Sequence, residues 1–172
     1  MAVKLVPARP EMAADVYAVV DGSRDSISRW LPWAASTLSV ADERAFLASM
    51  AAAALERRTF MFIIDVDGTK AGAIDLHNID FTNHHAEIGY FLGEPWRGRG
   101  VMATALDHIE QYAFGELALN KLTILAATGN TGSRHVAERA NYQLEGIQRE
   151  EILDLHSDYL DAARYSKLNH EA

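Results

Sequence analysis

Apolar positions along the chain switch between two periods, and the switches divide it into strands and helices. Lys4 to Val6 reads as a short edge strand stopped by Pro7, and Pro10 opens a helix that sets Met12, Val16, Val19 and Val20 at helical spacing. Ser39 or Asp42 can cap a second helix carrying Phe46, Leu47, Met50, Ala51, Ala54 and Leu55, which ends near Arg57 and Arg58, where cations suit the dipole. Phe60 to Asp65 and Lys70 to His77 read as strands joined at Asp67-Gly68, a dipeptide that favours a tight hairpin. Ala86 to Leu92 adds a third antiparallel strand, and a helix from Val101 to about Phe114 turns Met102, Leu106, Ile109 and Ala113 onto one face. Leu122 to Ala127 carries no charge, as a buried central strand would, and Thr128-Gly129-Asn130-Thr131-Gly132 ends it. A helix from Ser133 to about Ala140 follows, then closing strands from Tyr142 to about Leu155 and from Leu160 to Leu168. The order predicts an α/β (α+β) domain with a single mixed, mostly antiparallel sheet flanked by helices.

Composition narrows the class. At 172 residues and 49% hydrophobic the chain suits one compact domain, 1–172, with no apolar run long enough to span a membrane. The N-terminus lacks a signal-peptide pattern and cysteine is absent, so a cytoplasmic protein without disulfide or thiol chemistry is expected. A net charge of −8 argues against nucleic acid or anionic membrane as partners and suits amines or basic peptides. The seven histidines show no metal-ligand spacing, so no metal is expected. Monomer and homodimer both remain open.

The chemistry concentrates in Glu87-Ile88-Gly89-Tyr90-Phe91-Leu92-Gly93-Glu94-Pro95-Trp96-Arg97-Gly98-Arg99-Gly100-Val101-Met102-Ala103, a strand and loop running into a helix. Glycines let backbone approach a ligand, the first helical N–H groups lack intrahelical partners, and Arg97 and Arg99 add guanidinium charge: this is an anion cradle. Gly98-x-Gly100-x-x-Ala103 formally matches a dinucleotide-binding fingerprint, but four residues separate it from the strand and no acidic residue ends the next one. A Walker loop fails because no Gly-Lys-Ser/Thr triplet occurs.

Arg97-Gly98-Arg99-Gly100-Val101-Met102 resembles the acetyl-CoA pyrophosphate loop of the GNAT superfamily of N-acetyltransferases, departing only at Met102, where Gly or Ala is usual. With Ala86-Glu87-Ile88-Gly89-Tyr90, Asn130-x-x-Ser133, Leu144-Glu145-Gly146 and Trp30-Leu31-Pro32-Trp33 in the same order, nearly the whole chain resembles the Rim-type branch, the ribosomal-protein N-terminal acetyltransferases. The resemblance implies that the strands ending at Leu92 and Ala127 splay, and that acetyl-CoA lies between them, on backbone of Phe91 and Leu92 and on the loop from Arg97 through Val101, Met102 and Ala103. Gly89 and Pro95 fit a strand that bulges and stops.

Amine acetylation needs a proton removed, a polarised thioester and a donor at the departing thiolate. The resemblance places Asn130 and Ser133 beside the cofactor, Ser133 as that donor; spacing alone also fits an ordinary helix cap. A carboxylate on the strand after Leu144-Glu145-Gly146 is implied as base. Glu151 is preferred and Glu150 is the fallback, because alternation lets one of the two face the cleft. Glu87 is a candidate to hold a relay water. Tyr90 is a candidate to contact the substrate, and Trp30 and Trp33 form either a core plug or one wall of the substrate cleft. The implied activity is acetyl transfer to an amine: a protein N-terminal α-amine first, then a small amine such as a polyamine, antibiotic or aminoacyl conjugate. A non-catalytic acyl-CoA-binding module is the reading outside that class.

Overall fold

The computed structural model describes residues 1–172. Seven strands form one sheet: β1 (Val3–Pro7), β2 (Phe60–Val66), β3 (Thr69–Asp80), β4 (His85–Leu92), β5 (Lys121–Ala127), β6 (Gln143–Leu153) and β7 (Tyr159–Leu168), in the order β1-β2-β3-β4-β5-β7-β6. Every neighbouring pair is antiparallel except β4 and β5. The β2–β3 hairpin turns where the sequence predicts, at Asp67 (φ 51°) and Gly68 (φ 89°), both left-handed as a tight hairpin turn requires.

Helices cover both faces. α1 (Ala13–Gly22), α2 (Arg24–Ser28) and α3 (Val40–Leu55) bury Val16, Val20, Ile27 and Leu47 against Ile63, Ala73 and Phe91. On the other face α4 (Val101–Gln111) and α5 (Thr131–Arg139) pack Met102, Leu106, Ile109 and Ala137 against Ile74, Leu76, Ile88, Ile124 and Tyr165. Each buried aliphatic side chain contributes about 1.5–3 kcal/mol of transfer energy, so the sheet is held from both sides. α3 starts as the sequence predicts: the Ser39 hydroxyl accepts from the Asp42 N–H at 3.1 Å, and the Asp42 carboxylate accepts from the Leu38 N–H at 3.0 Å.

Two local expectations are corrected. Gly89 makes no bulge: β4 keeps unbroken register with β3 from Glu87 to Leu92, and the irregularity lies in β3 after His77. In β6 the alternation expected at Glu150 and Glu151 does not apply. Register with β7 shifts between Gln148 and Ile152, Glu150 takes a left-handed φ of 53°, and its N–H donates to the Asp161 carboxylate at 2.9 Å. The bulge leaves both carboxylates exposed.

β4 and β5 set up the site. They pair only from His85 to Ile88 with Lys121 to Ile124. Beyond that, Gly89–Leu92 stays bonded to β3 and Leu125–Ala127 to β7, so the facing edges diverge into a V. Gly72 lets β3 press close to one arm, since a Cβ there would meet the Phe91 carbonyl oxygen at 2.2 Å and the Leu92 Cα at 2.9 Å.

Candidate active site

The glycine loop lies at the open end of the β4 arm. The Leu92 carbonyl accepts from Arg97 Nε at 3.0 Å, which ties the loop to the strand and leaves the rest of the guanidinium free. Arg99 extends over the Trp96 ring at 5.8 Å. Gly98 and Gly100 have φ of 71° and 79°, where a side chain is strained, and a Cβ at either would meet nothing within 4 Å. The loop is therefore an open cradle. Gly100 caps α4, and the N–H groups of Val101, Met102 and Ala103 find no acceptor within the chain. Met102 buries its side chain in the core below α4, so its departure from Gly or Ala leaves the outward backbone donors unobstructed.

On the β5 arm, Asn130 caps α5 and its Oδ1 accepts from the Ser133 N–H at 3.2 Å. Ser133 Oγ also lies 2.8 Å from the Tyr90 hydroxyl across the V, which brings these two candidate residues together. That phenol also reaches the Ser133 carbonyl at 3.2 Å, and burial pushes it up to about 12, so it stays protonated at neutral pH. Tyr90 thus belongs to the α5 face, with Ser133.

Trp30 and Trp33 stand on the opposite face. Trp33 packs edge-on against Phe91 at 5.3 Å and stacks beside Phe46 at 6.5 Å, with 40% of its own surface exposed. The Trp30 ring edge comes within 3.5 Å of where a side chain would stand at Gly129, so the turn after α2 reaches over to the end of β5. Tyr90 and the two tryptophans therefore lie on opposite faces of the sheet. Neighbouring residues of a strand point to opposite faces, and Phe91 takes the tryptophan side.

Glu87 lies on that tryptophan side, opposite Thr123 in the last pair but one before the V opens. It is one-fifth exposed and faces His77 Nε2 at 3.1 Å, while His77 Nδ1 lies 2.6 Å from Asp75 Oδ1. His77, first of all, holds the Glu87 carboxylate below the usual range. Asp75 and His77 join the candidate Glu87 here, although neither stands out as a candidate in the sequence. Their signal was the i, i+2 pair Asp75-x-His77 opposite Glu87-x-Gly89 in one hairpin. Glu150 and Glu151 stand exposed on the β6 bulge, one strand beyond β7, and no side chain bonds either carboxylate.

Residues 3–143 match the acetyltransferase (GNAT) domain. The chain belongs to the GNAT acetyltransferase family. It is 40% identical over 105 residues, 61% of its length, to Bacillus subtilis (strain 168) "Putative ribosomal N-acetyltransferase YdaF", and covers 57% of that protein. It is 27% identical over 116 residues to the spermidine N(1)-acetyltransferase of Escherichia coli (strain K12), 67% of this chain and 60% of that one. These curated relatives are thus matched over less than two thirds of their own length. A solved probable acetyltransferase superposes with a TM-score of 0.93 at 29% identity, covering 99% of this chain and 94% of that one. The ribosomal L7/L12 α-N-protein acetyltransferase RimL, solved with coenzyme A, superposes with a TM-score of 0.92 at 22% identity over 98% and 94%. The mixed, mostly antiparallel GNAT topology is the fold found here.

Proposed function

We propose that this GNAT domain is an acetyl-CoA-dependent N-acetyltransferase. The observation that carries the reading is the conjunction of an open V between β4 and β5 with an open glycine cradle and free helical N–H groups at its end. Gly98 to Ala103, with Arg97 and Arg99, suit a pyrophosphate, and the unpaired edges of Gly89–Leu92 and Leu125–Ala127 suit the pantetheine amides. Acetyl-CoA supplies an acetyl group activated as a thioester. The chain's own residues bind and orient it, and an unpaired N–H in the V polarises the acyl oxygen. The Ser133 hydroxyl, held by Tyr90, donates a hydrogen bond at the sulfur. The exposed pair Glu151 and Glu150 offers one route for the amine proton, and water at Glu87 another.

The first acceptor is a protein N-terminal α-amine, as the ribosomal relatives' names suggest. A polyamine or other small amine is the second, favoured by the carboxylates Asp75 and Glu87 at the root of the V and by the spermidine relative. The test is mass spectrometry of a cell extract incubated with enzyme and isotope-labelled acetyl-CoA. Label on one protein N-terminus supports the first acceptor and label confined to small amines the second; label on neither removes both.

A further inference from the structure

His77 is bonded at both ring nitrogens to carboxylates, Nδ1 to Asp75 at 2.6 Å and Nε2 to Glu87 at 3.1 Å. A neutral imidazole has a single N–H and would turn a lone pair onto one of these oxygens, whereas the imidazolium donates to both. The same two carboxylates, Asp75 first, push the ring up to about 10 against partial burial. Other groups acting on Glu87 are Arg164 of β7 and Asn78 of β3, while its β5 neighbour, Thr123, does not titrate.

The arrangement is built into the hairpin. His77 stands opposite Glu87 and Asp75 opposite Gly89. A Cβ at Gly89 would lie 3.0 Å from Asp75 Oδ2 and 3.2 Å from His77 Cε1, so the missing side chain makes room for the pair. All three side chains keep some solvent access, from 20% to 33%. Two carboxylates flank a single ring, so the unit is acidic, and it lies on the face of the sheet that carries Phe91.

We propose that His77 is a positioning residue for the acceptor: clamped as an imidazolium between Asp75 and Glu87, it fixes Glu87 at the root of the V as an anion that receives the acceptor's ammonium. The proposal rests on the amine-acceptor reading above and names how that site selects a cation. Glu87, held ionised by its partner, anchors the cation and does not take its proton. Proton removal then falls to Glu151 or Glu150 and not to a water relay at Glu87.

The experiment compares wild type, His77→Gln, Glu87→Gln and the double variant. Spermidine and a basic peptide serve as probe amines, their binding to the coenzyme A-saturated protein is measured by calorimetry, and thermal melts confirm folding. Each single variant is expected to weaken amine binding about tenfold or more, the loss of one charge-assisted hydrogen bond, with acetyl-CoA affinity unchanged. The double variant is expected to be no worse than Glu87→Gln. Gly89→Ala, which crowds the pair and removes neither group, is expected to act in the same direction. Imidazole NMR of the wild type is expected to show one ring titrating far above 6.5. Amine binding within twofold of wild type in both single variants overturns the proposal, as does a His77 ring titrating near 6.5. Absence of turnover with retained His77-dependent amine binding overturns the enzyme reading alone.

Discussion

Gly100 separates the energetics of the loop from those of its ligand. Its φ is 79° and nothing lies within 4 Å of a Cβ built there, so Gly100→Ala adds backbone strain and no clash within the protein. A non-glycine residue in the left-handed region costs about 1–2 kcal/mol. For a domain of this size each kcal/mol moves Tm by about 2–4 °C, so both Gly100→Ala and Gly100→Glu should melt about 2–8 °C lower. Only the glutamate adds a charge facing the proposed pyrophosphate. At about 5 Å and an effective dielectric between about 20 and 80, the repulsion is about 1–3 kcal/mol. That corresponds to coenzyme A affinity about five- to 150-fold below the alanine variant. Calorimetric titration of coenzyme A into all three proteins, with melts alongside, reads both quantities. If Gly100→Glu melts low yet binds coenzyme A as well as Gly100→Ala does, the pyrophosphate lies elsewhere.

Other residues carry their own expectations. Ser133→Ala and Glu151→Gln should each lower kcat by about 10²-fold if they serve the proton inventory, and full turnover in both variants would remove that chemistry. Lys167 is buried with its Nζ 2.7 Å from Glu110 Oε2, so Lys167→Met strands a buried carboxylate. It should cost about 3–5 kcal/mol by urea unfolding, and Glu110→Leu added to it should recover most of that. Gly72→Ala must displace the Phe91 carbonyl and with it the β4 arm. It should raise the KM for acetyl-CoA, and an unchanged KM would show that the arm's position is not read by the ligand. Burial pushes the Glu43 carboxyl above its ordinary value of 4.5. The folded state therefore holds that proton longer than the unfolded chain, and stability falls as pH rises through the window above 4.5. Glu43→Gln should remove that slope in unfolding measured at successive pH values, and an unaltered slope would mean that another group carries it.

The strands were legible because short apolar, β-prone runs fill β2 to β5, the last of them with no charge from Leu122 to Ala127, and Asp67-Gly68 marks the one turn that needs two left-handed residues. The five residues of α2 were not, since one turn and a half carries no period to read. The bulge in β6 was hidden for a different reason. A bond from the Glu150 N–H to Asp161, on the partner strand, breaks the alternation, and no local pattern reports it. Of the candidate site, the loop from Arg97 to Ala103 was legible as an anion cradle from residue type and spacing, whereas Asn130 and Ser133 stood out only through the family resemblance, because their spacing alone fits a helix cap. Which face each side chain takes followed only from β4 geometry, which sets Tyr90 beside Ser133 and Phe91 beside Trp33. His77 escaped because its meaning lies in joining Asp75, two residues back on its own strand, to Glu87, which stands opposite it on β4 and ten residues away along the chain.

The most direct measurement is coenzyme A release from acetyl-CoA followed with a thiol reagent, in the presence of single amines and basic peptides, with mass detection of the acceptor and Gly100→Glu as control. An acetyltransferase releases thiol only when an amine is supplied, in equal amount to acetylated acceptor, and Gly100→Glu needs far more acetyl-CoA to do so. Tight acetyl-CoA binding with no amine-dependent release across the whole panel would contradict the account and leave a domain that binds acyl-CoA without chemistry.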